Sequence, residues 1–183
     1  EIGFLLNGDG SLRYDMGKEQ RIIHGDRFYI GKYNDGDKTM MGYGVQQNNP
    51  DNVTEYYYNA STGQVIWRHY DKVSVDNGRG NVGDFDPRYP GLEVFSFYGM
   101  YNGKTNELVA DDTTNLWPAN NIYWDGSLIP ACYHKTTINK WNYMINDTVR
   151  LLTAYKAYSD VFGEDPAVDE TFPLFHGDIT GDW

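Results

Sequence analysis

The chain has 183 residues, enough for one domain with a substantial core, and 16% of them are aromatic, including sixteen Tyr. A formal net charge of -11 and a pI near 4.6 exclude a nucleic-acid surface built on clustered Lys and Arg. The single Cys132 excludes an internal disulfide, and no apolar run approaches the roughly 18 residues of a membrane-spanning helix.

Tyr, Gly, Asn and Asp in this proportion predict short strands joined by polar turns. No segment carries a helical period, and Arg150 to Tyr158 reads as a strand end and loop. Glu1 to Leu6 runs into the hairpin turn Asn7-Gly8-Asp9-Gly10, and Ser11 to Met16 alternates as a strand. His24-Gly25-Asp26 precedes a strand from Phe28 to Ile30, the loop Asn34-Asp35-Gly36-Asp37 and a strand from Thr39 to Val45. Val53 to Asn59 and Gln64 to Tyr70 then form a hairpin around Ser61-Thr62-Gly63.

The pattern recurs. Gly31-Lys32-Tyr33-Asn34 and Gly83-Asp84-Phe85-Asp86 stand 52 residues apart, each before a turn and an apolar strand, and a third copy is expected at Gly177-Asp178-Ile179. A four-stranded unit repeating every 40 to 50 residues or so marks a propeller blade. The 94 residues from the second copy to the third then require insertions, placed at Asp111 to Ala119 and Lys156 to Thr171. The expected fold is all-β, a partial β-propeller of two to three blades whose outer faces expose apolar surface.

The segment from Asn77 to Phe95 has the layout of a metal loop. Calcium takes six to eight hard oxygens, and Asp84, Asp86 and Glu93, with turn carbonyls, supply several of them. On spacing alone an exposed Asp-Pro turn before an edge strand fits equally well. In the first copy Lys32 and Asn34 replace the two aspartates, so that loop is expected to be a structural turn with Asp35, Gly36 and Asp37 in solvent. The third copy keeps Asp178 and Asp182 as candidate ligands. His24 reads either as a strand-start structural histidine or as a functional one. Trp67, Trp124 and Trp141 are placed in strand cores, and Trp117, in Asn115-Leu116-Trp117-Pro118, is a candidate sugar-stacking platform. His69 and His134 carry no signal.

Gly78-Arg79-Gly80, followed by Asp84-Phe85-Asp86-Pro87-Arg88-Tyr89-Pro90-Gly91-Leu92-Glu93-Val94, resembles the signature of the rhamnogalacturonan lyases of polysaccharide lyase family 11. His24-Gly25-Asp26, Ala60 to Trp67, Ile122 to Gly126, Ile138 to Tyr143, Leu151 to Ala154 and Gly177 to Trp183 agree in the family's order, so the resemblance spans nearly the whole chain. It implies an eight-bladed, calcium-bearing catalytic propeller, secreted outside the cell, of which residues 1–183 are an internal fragment truncated at both ends. It further implies cleavage of rhamnogalacturonan I, the pectin backbone, by calcium-assisted β-elimination at galacturonate, with Ca2+ as cofactor and the remaining blades as neighbours. Arg79 then becomes a carboxylate clamp or proton-transfer partner, the alternative being an arginine tied to Asp84 or Asp76, and His24 a residue of the substrate cleft.

One departure stands out. Many family members carry Asn-Gly-Thr-Lys after the Leu-Leu-Thr-Ala strand, and here Tyr155 to Glu170 holds only Lys156. That opens two alternatives to the lyase: a non-catalytic calcium-dependent propeller that binds polysaccharide, and an unrelated calcium-dependent scaffold.

Overall fold

The computed structural model describes residues 3–113, 115–118, 120–123 and 125–165. Asp178, Asp182, Trp124 and the copy expected at Gly177-Asp178-Ile179 lie outside the described residues.

Three four-stranded antiparallel sheets follow one another along the chain, each a meander of consecutive strands. The first holds β3 (Phe28–Gly31), β4 (Met41–Val45), β5 (Val53–Asn59) and β6 (Val65–Tyr70). The second holds β7 (Gly80–Gly83), β8 (Glu93–Ser96), β9 (Gly99–Asn102) and β10 (Leu108–Ala110), and the third β11 (Asn120–Ile122), β12 (Ala131–His134), β13 (Thr137–Asn142) and β14 (Asp147–Thr153). A two-stranded sheet, β1 (Phe4–Leu6) with β2 (Leu12–Asp15), precedes them. The repeat read from the sequence is real in its first two copies: β3 and β7 stand 52 residues apart, as do the starts of β4 and β8.

The third repeat corrects the expectation. The third sheet begins at Asn120, so the second and third copies are about 40 residues apart and none of the three described sheets carries an insertion. The described residues between β10 and β11 connect the two sheets, and the three four-stranded sheets agree with the two to three units expected. The first loop of the third sheet, with Tyr123, Asp125 and Gly126, does not repeat the Gly-x-Tyr-Asn or Gly-Asp-Phe-Asp spelling. This is why the repeat was illegible there.

Two helices also correct the sequence reading. α1 (Met16–Gln20) is capped by Asp15, whose side chain accepts the Lys18 N–H at 3.1 Å. α2 (Ala154–Phe162) takes up most of the segment expected to be a loop. Its four-residue pairs are Lys156 with Asp160 at 2.6 Å and Tyr158 with Phe162, rings 4.5 Å apart. Gly163, at φ 70°, ends it by donating its N–H to Ser159.

Aromatic alternation builds the seams. Between the first and second sheets Tyr33, Met41, Tyr43, Val45 and Tyr57 pack on Val94, with Val82, Leu92 and Tyr101 at the margin. Between the second and third, Phe85, Phe95, Met100, Leu116, Cys132 and Trp141 form one cluster. The other face of the first sheet is covered by Tyr14, Met16 and Ile22 of the β2–α1 unit, packed on Val53, Tyr56 and Tyr58. Each fully buried side chain of this size contributes about 1.5–3 kcal/mol. Phe28 and Ile30 of β3 remain 65% and 50% exposed beside that cover.

The first strands of the sheets pack together and run the same way. Tyr29 Oη donates to the Gly80 carbonyl at 3.0 Å, Asn81 Nδ2 to Asn121 Oδ1 at 2.6 Å, and Asn121 Nδ2 to the Val82 carbonyl at 2.7 Å. The loops that enter β3, β7 and β11 therefore meet at one end of the molecule, and the loops that leave them at the other.

Candidate functional site

At the entry end, His24, Asp26, Arg27, Gln47 and Arg79 converge. The Asp26 carboxylate is the hub: Gln47 Nε2 donates to Oδ2 at 2.9 Å, Arg79 Nη1 stands 3.3 Å from the same oxygen, and His24 Nε2 lies 3.8 Å from Oδ1. Arg27 Nη1 reaches Asn120 Oδ1 at 3.5 Å, which ties the first sheet's entry loop to the third sheet. The side chains of His24 and Arg79 are 49% and 45% exposed, so both face solvent in part.

The local sequence explains the placement. Gln46, 1% exposed, accepts the Ile23 N–H and returns Nε2 to the Ile23 carbonyl, while the Gln47 N–H bonds the His24 carbonyl. The chain from Ile23 to Asp26 is thereby laid against β4. Gly25 is required there because a Cβ would stand 2.0 Å from the Val45 carbonyl oxygen. Asn77 Nδ2 donates to the Thr54 carbonyl at 3.0 Å and anchors the turn that presents Arg79. Asp26, rather than Asp84 or Asp76, is the acid that pairs with Arg79.

Trp117 belongs to the same end. Thr113 Oγ1 donates to the carbonyl of Ser96, the residue opposite Gly80, and the Trp117 N–H bonds the Thr113 carbonyl. Trp117 is half-buried, stacks on His134 with centroids 4.1 Å apart, and meets Phe97 edge-on at 5.0 Å. Its backbone is left-handed, φ 63°, and its indole N–H is buried without a partner. Composition gave no hint of His134's place in this stack.

The Asp84–Glu93 loop lies at the opposite end, between β7 and β8. The four residues of β7 separate it from Arg79 by about 13 Å of strand. Asp86, fully buried, has all four lone-pair positions filled: Oδ1 accepts the Arg88 backbone N–H at 3.1 Å and Arg88 Nε at 2.9 Å, and Oδ2 accepts Arg88 Nη2 at 2.6 Å and Trp141 Nε1 at 3.0 Å. Burial pushes its carboxyl up, and the Arg88 and Trp141 donors outweigh this and hold it below the usual range. Glu93, also fully buried, accepts the Phe85 and Asp86 N–H groups on Oε2 at 2.9 Å each, and its Oε1 has no partner. Burial, with Asp84 and Asp86 nearby, raises its carboxyl to about 8 despite those two donors. Burial and Asp86 also raise Asp84.

These residues do not form a calcium cage here. Of the three expected ligands, Asp86 has no free lone pair, which leaves exposed Asp84 and one oxygen of Glu93. Among the described residues no group of three or more His, Cys, Asp or Glu side chains is placed to hold a metal ion. The matching loops close in other ways. In the first sheet Asp37 Oδ2 accepts the Tyr33 and Asn34 N–H groups at 3.2 and 3.0 Å, so it is not merely solvated as expected. In the third, Lys140, 8% exposed, bonds both oxygens of Asp125 at 2.8 and 2.6 Å, which together with Ser127 holds the Asp125 carboxyl down at about 2.

The sequence of this chain matches a family model over residues 4–183, that of the rhamnogalacturonan lyase family 11 C-terminal domain. It is similar to the rhamnogalacturonan endolyase YesW of Bacillus subtilis (strain 168), with 30% identity over 97% of this chain and 26% of that protein. The fold superposes on the crystal structure of the rhamnogalacturonan lyase YesW with a TM-score of 0.72 and 28% identity, covering 82% of this chain and 24% of that one. It is likewise similar to the Bacillus licheniformis rhamnogalacturonan lyase PL11, with a TM-score of 0.68 and 30% identity over 80% of this chain and 24% of that one. The chain thus spans about a quarter of the length of these relatives. With the motifs at His24, Arg79 and Asp84 to Val94 in their expected order inside that match, this chain belongs to rhamnogalacturonan lyase family 11.

Proposed function

We propose that the protein containing this chain is a rhamnogalacturonan lyase that cleaves the rhamnogalacturonan I backbone outside the cell by β-elimination at galacturonate. The observation that carries this reading is the convergence of Arg79, His24, Asp26 and Gln47 at the entry end of three first strands, in a chain whose relatives bear the name of that activity.

In the elimination a base removes the C5 proton of the galacturonate. The electron pair forms the C4–C5 double bond, the C4–O bond breaks, and the departing glycosidic oxygen takes a proton. The step is slow in water because negative charge builds on the uronate carboxylate. Arg79, half exposed and held through Nη1 by the Gly78 carbonyl at 2.9 Å and Asp26 at 3.3 Å, keeps its Nε and Nη2 edge for a bidentate grip on that carboxylate. His24 and Trp117 are assigned to substrate binding, Trp117 through its half-buried ring. Calcium use is part of the proposal for the whole protein and would add charge neutralisation. The candidate contributors left for it, Asp178 and Asp182, lie outside the described residues.

A second reading, a propeller that binds the polymer without cleaving it, is favoured by one observation. Where the resemblance leads one to expect Asn-Gly-Thr-Lys, the chain forms α2 instead. The test uses the full-length protein, following the ultraviolet absorbance of unsaturated uronate on rhamnogalacturonan with calcium and with chelator. A rise that is lost in Arg79→Ala supports the lyase. Binding with no rise supports the second reading.

A further inference from the structure

We propose that Arg88 is the resident cation of the 84–93 loop and clasps the third sheet to the second, so that this loop is held without a divalent ion. The argument starts from the Asp86 carboxylate. A buried carboxylate needs positive charge or several donors, and a loop of alternating acids can obtain them from a bound ion or from a side chain. Here the guanidinium fork supplies Nε and Nη2 at 2.9 and 2.6 Å, the Arg88 backbone N–H adds a third donor at 3.1 Å, and Trp141 adds the fourth. A metal at Asp86 would have to displace one of these donors.

The partners of Arg88 explain why the residue matters beyond its own loop. Its Nη2 also donates to Asn146 Oδ1 at 2.6 Å, and its guanidinium carbon lies 5.9 Å from the centre of the Tyr143 ring. Asn146 and Tyr143 lie in the turn between β13 and β14, and Trp141 is on β13. Every contact named for Arg88 other than Asp86 therefore belongs to the third sheet. Trp141, which donates to Asp86, also belongs to the hydrophobic seam with Phe85 and Phe95. The third sheet uses the same device in a different place, with Lys140 neutralising Asp125.

Arg88 is 43% exposed at its side chain while Asp86 is fully buried. Loss of the arginine therefore leaves a carboxylate stranded in the seam, whereas loss of the aspartate returns the arginine to water. The pair should be strongly coupled, and the coupling should be indifferent to calcium.

The test is thermal unfolding of the whole chain, in EDTA and in calcium, for the wild type, Arg88→Gln, Asp86→Asn, the double variant and Arg88→Lys. The expected result is a Tm lowered by roughly 4–8 °C in Arg88→Gln, a double variant no worse than that single variant, and a calcium-induced shift in Asp86→Asn equal to that of the wild type. Arg88→Lys, which keeps the charge without the fork, should recover part of the loss and guards against a variant too unstable to measure. If the calcium-induced shift of the wild type vanishes in Asp86→Asn, Asp86 is a metal ligand and the proposal fails. It also fails if Arg88→Gln unfolds at the wild-type temperature.

Discussion

The Arg79 guanidinium and the Asp26 carboxylate stand 3.3 Å apart, brought together from the entry loops of β7 and β3. The pair is solvent-exposed on both sides, and an ion pair of this kind adds about 0–1 kcal/mol to stability. Its importance is positional. In the full-length protein Arg79→Ala should lower the rate of unsaturated uronate formation by at least about 100-fold while leaving Tm nearly unchanged. A large fall in Tm with a matching loss of activity would show that Arg79 holds the fold rather than the substrate.

Gly25→Ala should disrupt that end of the molecule from beneath. The added methyl would meet the Val45 carbonyl oxygen at 2.0 Å, and this is backbone that cannot swing away. A cost of about 1–3 kcal/mol is expected, read as a lower denaturation midpoint in urea. Gly36→Ala is the control for glycine loss, since its methyl would meet nothing within 4 Å although its φ of 80° carries the usual left-handed strain.

Glu55 is a fully buried acid in the first seam. Tyr43 Oη donates to its Oε2 at 2.5 Å and His69 Nδ1 lies 2.8 Å from its Oε1. His69 in turn sits between the rings of Trp67 and Tyr101, at 4.8 and 4.3 Å. Glu55→Ala strands both partners and should cost about 3–5 kcal/mol, whereas Glu55→Gln, which keeps the shape and one acceptor, should cost clearly less. Equal losses from the two variants in chemical denaturation would remove the network from the account of stability.

The Glu93 carboxyl makes stability fall as pH rises from the acidic range through neutrality. Burial, then Asp84 and Asp86, raise its folded value from 4.5 to about 8, so the folded state holds a proton that the unfolded state releases. Its stabilising share is full below 4.5 and falls as pH rises towards about 8, by the sign of the linkage relation. Glu93→Gln, which can still accept the Phe85 and Asp86 N–H groups, should flatten the decline in Tm between pH 5 and pH 8. An unchanged decline in that variant would assign it to other groups.

Much of this molecule was legible in its sequence. Val53–Asn59 was read to the residue because a run of β-branched and aromatic residues is bounded by the turn signals at Asn52 and Ser61-Thr62-Gly63, and with both faces buried it needs no period of two. The 52-residue repeat was legible because Gly31 and Gly83 end equivalent strands. α2 was missed because Leu151-Leu152-Thr153 continues a strand pattern into Ala154, and a nine-residue helix is stabilised by pairs such as Lys156 with Asp160 that leave no long period. The start of the third sheet was misplaced because its first loop neutralises Asp125 with Lys140 from another strand, a solution with no local spelling.

The candidate site divides in the same way. Residue types and motif order named Arg79, His24 and Trp117, and those motifs sit within the match to the family over residues 4–183. Only the tertiary structure decided that these three share one end of the sheets while Asp84, Asp86 and Glu93 occupy the other, and that Asp86 belongs to Arg88 and Trp141. The physical reason is that a strand reverses nothing in the sequence yet separates its two ends by its full length. The partner that fills a carboxylate's lone pairs can come from a strand 55 residues away, where no spacing rule reaches.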